Sequence, residues 1–324
     1  MKICIYGAGA IGGWIGARLA ALGEPVSVVA RGATLAALQT HGLRLHHAEG
    51  VLQVPVQAAE NAAALGVQDL VVVAVKAPAM AAVARGIAPL LGPHTMVLTA
   101  MNGVPWWFFQ GFGGAYQGTP LKAVDATGEI AAAIPARHVI GCVVHASCAL
   151  CAPGEVQHHF GNKLILGEPA GGSSERLEDL AALLTRAGLE VVVSAQIQQD
   201  TWFKLWGNMT VNPVSALTGA TTDLILEDPL VRDFISRVML EAKEIGARIG
   251  LPIDQQPQDR HAVTRKLGAF KTSMLQDVEA GKPVELDALV TVVQELGVLT
   301  GVATPFTDAL LGLARLQARV RGLY

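Results

Sequence analysis

The feature that most constrains this chain is the run GAGAIGG at residues 7–13, set between the strand-like KICIY of residues 2–6 and a helix-like segment, residues 14–22, that stops at Gly23. Gly7, Gly9 and Gly12 fall in the spacing G-x-G-x-x-G. That spacing serves three physical needs: a tight turn, close approach of backbone to a pyrophosphate, and close packing of helix on strand, with the helix N-terminus facing the anion. Glycine spacing alone is weak evidence, but the strand at residues 25–30 completes a β-α-β unit around it. The chain is therefore expected to begin with a Rossmann-type dinucleotide-binding domain whose residues Gly7, Ala8, Gly9, Ala10, Ile11 and Gly12 cradle the cofactor. The same glycines argue against reading Lys2 and its apolar sequel as a signal peptide.

The end of the second strand bears on which dinucleotide. An acidic residue there would hold a ribose 2′-hydroxyl; this chain has Arg31, followed by Gly32 and Thr34, which suits a 2′-phosphate and predicts NADPH. From residue 68 the run DLVVVAVKA reads as a central parallel strand with Lys76 at its carboxyl end. After a helix over residues 79–90, a strand over residues 95–100 delivers Asn102 and Gly103 to the same edge. Ligands of open parallel sheets lie beyond the carboxyl ends of the strands, which favours a site role for Lys76. Asn102 either contacts cofactor or substrate or simply forms the Asn-Gly turn. The aromatic run Trp106, Trp107, Phe108 and Phe109 that follows packs over a nicotinamide, lines a substrate pocket or buries itself between subunits; sequence does not choose.

At 324 residues, 51% of them hydrophobic, there is material for two cores and two domains. A net charge of −3 without a basic patch argues against nucleic acid and for a small-molecule ligand. The apolar stretch of residues 86–109 is broken by prolines and does not read as a membrane span. Four cysteines, with Cys148 and Cys151 in a C-x-x-C that lacks a second pair, fit a reducing cytoplasm, and no ligand spacing predicts a metal. His145, His158 and His159 have no carboxylate or thiol partner by spacing and read as structural or exposed.

Strands at residues 139–148, 154–160, 163–167 and 189–194, with an amphipathic helix over 174–188, complete the first half. Helical segments then dominate: residues 228–250, 254–267, 287–297 and 304–323. This places a boundary near residue 195, giving an α/β domain over 1–195 and an all-α domain over 196–324. The first helix of the second half carries WFKLWGNMTVNP, residues 202–213, in which Lys204, Asn208 and Asn212 recur every fourth residue and so stack along one face of an otherwise apolar helix. An ammonium and two amides on such a stripe can bind a carbonyl or an anion, and a lysine there can act as an acid; the alternative is a snorkelling lysine and capping asparagines. In KTSMLQDVEAGKPVELD, residues 271–287, Ser273 can hydrogen-bond a carboxylate. Glu285 stands where a helix begins, and for it and Asp287 a capping role is the alternative.

Taken together, GAGAIGG, Arg31, VAVKA with Lys76, MNG with Asn102, FKLWGNMTVNP and SMLQDVEAGKPVELD resemble the ketopantoate reductase (2-dehydropantoate 2-reductase) family along essentially the whole chain. The resemblance implies a Rossmann-type domain followed by a 6-phosphogluconate dehydrogenase C-terminal-like all-α domain, and NADPH-dependent reduction of 2-dehydropantoate to (R)-pantoate on the way to pantothenate and coenzyme A. It implies Lys204 as general acid, Glu285 as its partner, Asn208, Asn212 and Ser273 as substrate ligands, and Lys76 and Asn102 bridging cofactor and substrate. Two departures bear on substrate choice: Phe270 stands three residues before the serine, where some members have asparagine, and the Trp106 to Phe109 run is foreign to the pattern. Another branched or hydroxylated 2-oxoacid is the alternative substrate, and a non-catalytic NADPH-sensing protein the alternative class. The apolar helical half leaves monomer and homodimer both open.

Overall fold

The computed structural model describes residues 1–324 and divides into two compact units, one of residues 1–101 and 128–200, the other of residues 102–127 and 201–324. The first unit holds ten strands: β1 (Ile3–Tyr6), β2 (Val26–Val29), β3 (Leu43–His47), β4 (Gly50–Val54), β5 (Gln57–Ala59), β6 (Leu70–Val73), β7 (Met96–Ala100), β8 (Val139–Ala152), β9 (Glu155–Gly167) and β10 (Glu190–Val193). They form one sheet whose spine, β5-β2-β1-β6-β7-β8, is parallel throughout. This is the doubly wound order of a dinucleotide-binding fold. β1, β2 and β6 are buried at every position, as expected of short, mostly β-branched runs in a sheet covered on both faces. β9 returns antiparallel to β8 and carries β10 and the β3–β4 hairpin on its other flank.

Five helices belong to this unit: α1 (Ala10–Ala21), α2 (Gly32–His41), α3 (Met80–Gly86), α4 (Glu129–Ala133) and α5 (Glu175–Arg186). α5 starts where expected, the Ser174 hydroxyl accepting from Leu177 N–H, and ends before Gly188 at φ +83°. Two expectations change. The strands expected at 154–160 and 163–167 are one strand, β9, because Gly161 at φ +76° makes a bulge instead of a turn: Ser147 pairs Phe160, yet His145 pairs Lys163. The helix expected over 79–90 is cut to α3, with short 3-10 turns either side, since Pro89 cannot continue it. α2 lacks apolar periodicity and buries only Leu38, so the sequence carries no signal for it. His158 stacks on Trp14 with its Nε2 2.6 Å from the Gly161 carbonyl, a structural role.

The helices that follow are α6 (Ile197–Thr218), α7 (Thr222–Glu227), α8 (Pro229–Arg248), α9 (Pro257–Arg265), α10 (Ser273–Glu279), α11 (Val292–Thr300) and α12 (Pro305–Val320). The second unit's core gathers Trp202, Leu205, Trp206 and Met209 of α6 with Ile235, Val238 and Met239 of α8, Leu296 of α11 and Leu310 of α12. Residues 102–127 join that core: Phe108 and Phe109 are fully buried in it, and the Phe108 ring centroid lies 6.4 Å from that of Trp202. Where the sequence suggested a single cut near residue 195, the structure divides at 200/201 and assigns residues 102–127 to the helical unit. The reason is apolar demand. Each buried phenylalanine contributes about 2–3 kcal/mol only where a core surrounds it, and the core around this pair is built by α6 and its neighbours. Trp106 and Trp107 are also buried, at 4% and 2% exposure.

Candidate active site

In the first unit, β1, β2 and β6 run parallel with Tyr6 level with Val29 and Val73, so the glycine loop, Arg31 and Lys76 all follow the carboxyl end of the sheet. The three motif glycines differ in what requires them. Gly7 has φ +101°, and a Cβ there would meet Val75 Cγ1 at 2.5 Å; a Cβ on Gly12 would lie 2.1 Å from the Gly7 carbonyl oxygen. Both are demanded by the fold itself. Gly9 has ordinary dihedrals, φ −74° and ψ −166°, and its added Cβ would find only the Ala74 carbonyl oxygen, 3.9 Å away. Nothing inside the chain requires glycine here, as expected where a ligand must approach the backbone. Gly9 is also the N-cap of α1, whose first turn carries neither an acidic residue nor a capping side chain. The loop therefore fits a pyrophosphate on physical grounds.

Arg31 is the exposed N-cap residue of α2 and forms no ion pair within the chain; its charge lowers the Tyr6 phenol pKa, though burial dominates and leaves that pKa above its ordinary value. Lys76 is half-buried and precedes the short turn Ala77–Ala79.

In the second unit α6 presents Lys204, Asn208 and Asn212 at successive i, i+4 positions, as the spacing predicts. Lys204 Nζ donates to Asn102 Oδ1 over 2.8 Å. Asn102 is brought there by a backbone device. Residues Asp287–Thr291 form a π turn ahead of α11, and its Ala288 carbonyl accepts the Val104 N–H at 2.9 Å. Gly103 between them has φ +83°, and a Cβ on it would sit 2.4 Å from that same carbonyl oxygen. π turns release carbonyls from the regular helical ladder and recur at functional sites. Glycine and π turn together thus fix the loop that aims Asn102 at Lys204. Asn208 is half-buried and Asn212 is 7% exposed, and neither amide is engaged by a hydrogen bond within the chain. Such buried amides ordinarily find partners, so the stripe has unspent donors and acceptors. Pro213 inside α6 removes one more helical N–H, the one that would pair with the Met209 carbonyl.

Glu285 is buried, 8% exposed, and immediately precedes the helical turn that opens at Leu286. Asp287 accepts from Thr291 Oγ1 and Tyr324 OH, at 2.9 and 2.6 Å, a structural pair of bonds. Ser273 is exposed as the first residue of α10, while its neighbour Thr272, buried, caps that helix by accepting from Leu275 N–H. Phe270, which stands where some relatives were expected to have asparagine, uses its carbonyl to accept Thr222 N–H at 3.0 Å, and Lys271 pairs with Glu279 at 2.7 Å. One residue escaped sequence reasoning: Arg260 of α9, whose guanidinium lies over the Phe203 ring at 5.7 Å. Its only sequence signal is Gly207, an isolated glycine inside a helix.

Comparison with known proteins agrees with this geometry. The family profile described as ketopantoate reductase PanE/ApbA matches residues 3–171, and its C-terminal counterpart matches residues 196–318. The chain is 47% identical to the 2-dehydropantoate 2-reductase of Mesorhizobium japonicum, with all of both chains covered. A solved structure from Ralstonia solanacearum MolK2, assigned as a ketopantoate reductase, superposes with a TM-score of 0.95 at 62% identity, covering 99% of each chain. The Methylococcus capsulatus 2-dehydropantoate 2-reductase gives a TM-score of 0.84 at 29% identity over 99% of this chain and 98% of that one. With both family profiles matched in order and a full-length relative at nearly half identity, this chain belongs to the ketopantoate reductase family.

Proposed function

We propose that this protein is a cytoplasmic NADPH-dependent 2-dehydropantoate 2-reductase, turning the 2-oxo group of 2-dehydropantoate into the hydroxyl of (R)-pantoate on the route to pantothenate and coenzyme A. The observation that carries the reading is the Lys204 ammonium held at 2.8 Å by Asn102 on a helix face with two unengaged amides. The nicotinamide, when bound, supplies the hydride that the carbonyl carbon accepts. Lys204 Nζ then gives its proton to the carbonyl oxygen and regains one from solvent. An ammonium is suited to this because it supplies both the proton and the field that stabilises developing alkoxide charge. Asn102 spends one acceptor on Lys204, which fixes the direction of the remaining N–H groups and reduces the reorganisation needed as charge develops. Glu285 orients Lys204. Asn208, Asn212 and Ser273 hydrogen-bond the substrate's hydroxyl and carboxylate, and Lys76 with Asn102 links cofactor to substrate. Residues 7–12 hold the pyrophosphate, and the unpaired Arg31 guanidinium takes the 2′-phosphate.

The test is the initial rate of reduced-nicotinamide oxidation with 2-dehydropantoate beside simpler 2-oxoacids, with NADPH and with NADH. A strong preference for 2-dehydropantoate and NADPH is expected. Preference for another acid would overturn the substrate while keeping the chemistry, and absence of turnover with every acid would overturn the enzyme reading. Arg31→Ala should weaken NADPH at least tenfold and leave NADH within twofold; an unchanged ratio would remove Arg31 from the phosphate site.

A further inference from the structure

Arg260 is a cation without a partner. Its guanidinium forms no hydrogen bond or ion pair within the chain, its Nε is buried and unsatisfied, and burial lowers its pKa below the ordinary arginine value. The acceptors flanking it in sequence are committed elsewhere. Asp259 accepts the Gln256 N–H at 2.8 Å in the capping box of α9, and His261 is bonded to Ser236 at 2.8 Å. The position also opposes the helix dipole, since Arg260 lies in the opening turn of α9, where negative charge is favoured.

The chain nevertheless makes room for this charge. α6 gives up a side chain at Gly207, where a Cβ would stand 2.4 Å from Arg260 Nε, 2.8 Å from a terminal guanidinium nitrogen and 3.0 Å from Cζ. The Phe203 ring, one helical turn earlier, is covered by the same guanidinium. Glycine weakens a helix interior and a half-buried cation held only over an aromatic ring costs stability, so both are a burden on the fold. Gly207 is three residues after Lys204, so the guanidinium in its notch stands on the flank of α6 next to Lys204. A planar fork of donors on the flank next to the acid matches one chemical group of a 2-oxoacid, its carboxylate.

We propose that Arg260, seated in the notch left by Gly207, is a further ligand of the substrate carboxylate, adding the charge that selects 2-oxoacids over neutral ketones. This rests on the reading of the α6 stripe as the site of a 2-oxoacid reductase, and specifies which group recognises the acid.

The test is calorimetric titration of the NADP⁺-saturated protein with (R)-pantoate and with pantoyl lactone, which keeps the 2-hydroxyl but ties the carboxylate and 4-hydroxyl into a neutral ester. Arg260→Met should weaken pantoate at least thirtyfold, leave the lactone within twofold, leave NADP⁺ affinity unchanged, and raise the melting temperature, because a thioether chain keeps the packing on Phe203 without the buried charge. Arg260→Lys should recover part of the pantoate affinity. Gly207→Ala, which leaves the arginine in the chain but closes its notch, should reproduce the loss. Equal losses for pantoate and lactone, a pantoate affinity within twofold of the parent, or a lowered melting temperature in Arg260→Met would overturn the proposal. If the parent protein binds a different 2-hydroxyacid in place of pantoate, the substrate assigned above fails, and the same variants titrated with that acid decide on Arg260. If it binds no carboxylic acid at all, the role of Arg260 falls too.

Discussion

The Glu168 cluster of the α/β unit and the α6–α9 face of the helical unit handle charge in opposite ways. In the α/β unit, Glu168, 9% exposed, accepts from Arg176 Nε at 2.8 Å and Nη2 at 2.5 Å and from Ser174 Oγ at 2.5 Å. Burial alone would raise its pKa, but the Arg176 and Ser174 hydrogen bonds and the arginine charge outweigh it and leave the carboxyl below its ordinary value. Glu155 is shared between Arg44 Nη2 and His46, at 2.8 and 2.5 Å, although Arg44 Nε stays buried without a hydrogen bond. On α6 and the face of α9 against it, Asn208, Asn212 and the Arg260 Nε are left without partners. Even one helix shows the contrast, since His261 is closed on Ser236 and Arg260 beside it is open. A satisfied buried network holds a fold together; an unsatisfied one costs stability and is expected where a ligand completes it.

That contrast can be broken by substitution, and Lys204 gives the largest expected effect. Lys204→Ala should reduce kcat about 10²–10⁴-fold, the range for loss of a general acid, while fluorescence titration shows NADPH affinity unchanged; equal loss of both would remove Lys204 from the chemistry. Next is Glu168→Ala, which should cost about 3 kcal/mol of unfolding free energy in urea by leaving Arg176 uncompensated. It should not alter KM for the acid, and a change in KM there would blur the division between closed and open groups. Asn212→Leu is the converse: KM for the acid should rise tenfold or more with the urea midpoint unchanged or higher, because no hydrogen bond within the chain is lost, and a lowered midpoint would show the amide to be structural.

The smallest effect is a pH dependence. His261 is held at a pKa of about 4 by burial, then by the charges of Arg265 and Arg232. The folded state therefore keeps it neutral where the unfolded chain, titrating near the ordinary 6.5, takes up a proton. Stability should be full above pH 6.5 and fall as pH drops from about 6.5 toward 4, and His261→Gln should flatten that part of the melting-temperature profile; an unchanged slope would assign the loss to other groups.

Much of the candidate site is legible in the sequence because its signals are local. A G-x-G-x-x-G loop needs only neighbouring strand and helix to declare itself, and a period of four along α6 places Lys204, Asn208 and Asn212 on one face whatever surrounds them. The glycines nevertheless looked alike in sequence, and only packing separated Gly7 and Gly12, which the fold needs, from Gly9, which it does not. Asn102 was read as a turn residue or a ligand. Its bond to Lys204 depends on an interaction between Val104 and Ala288 across a long stretch of chain, and no spacing rule reports that.

The sequence by itself determined many of the chain's local elements, the dinucleotide loop and the polar stripe, because backbone geometry ties each of these to residues a few positions apart. Tertiary structure alone decided that residues 102–127 fold with the helices, that Phe108 and Phe109 feed their core, and that Arg260 sits in the space left by Gly207. Those outcomes depend on which apolar surfaces and which charges come together from distant segments. Burial and electrostatics act through space, so their result exists only once the chain has packed.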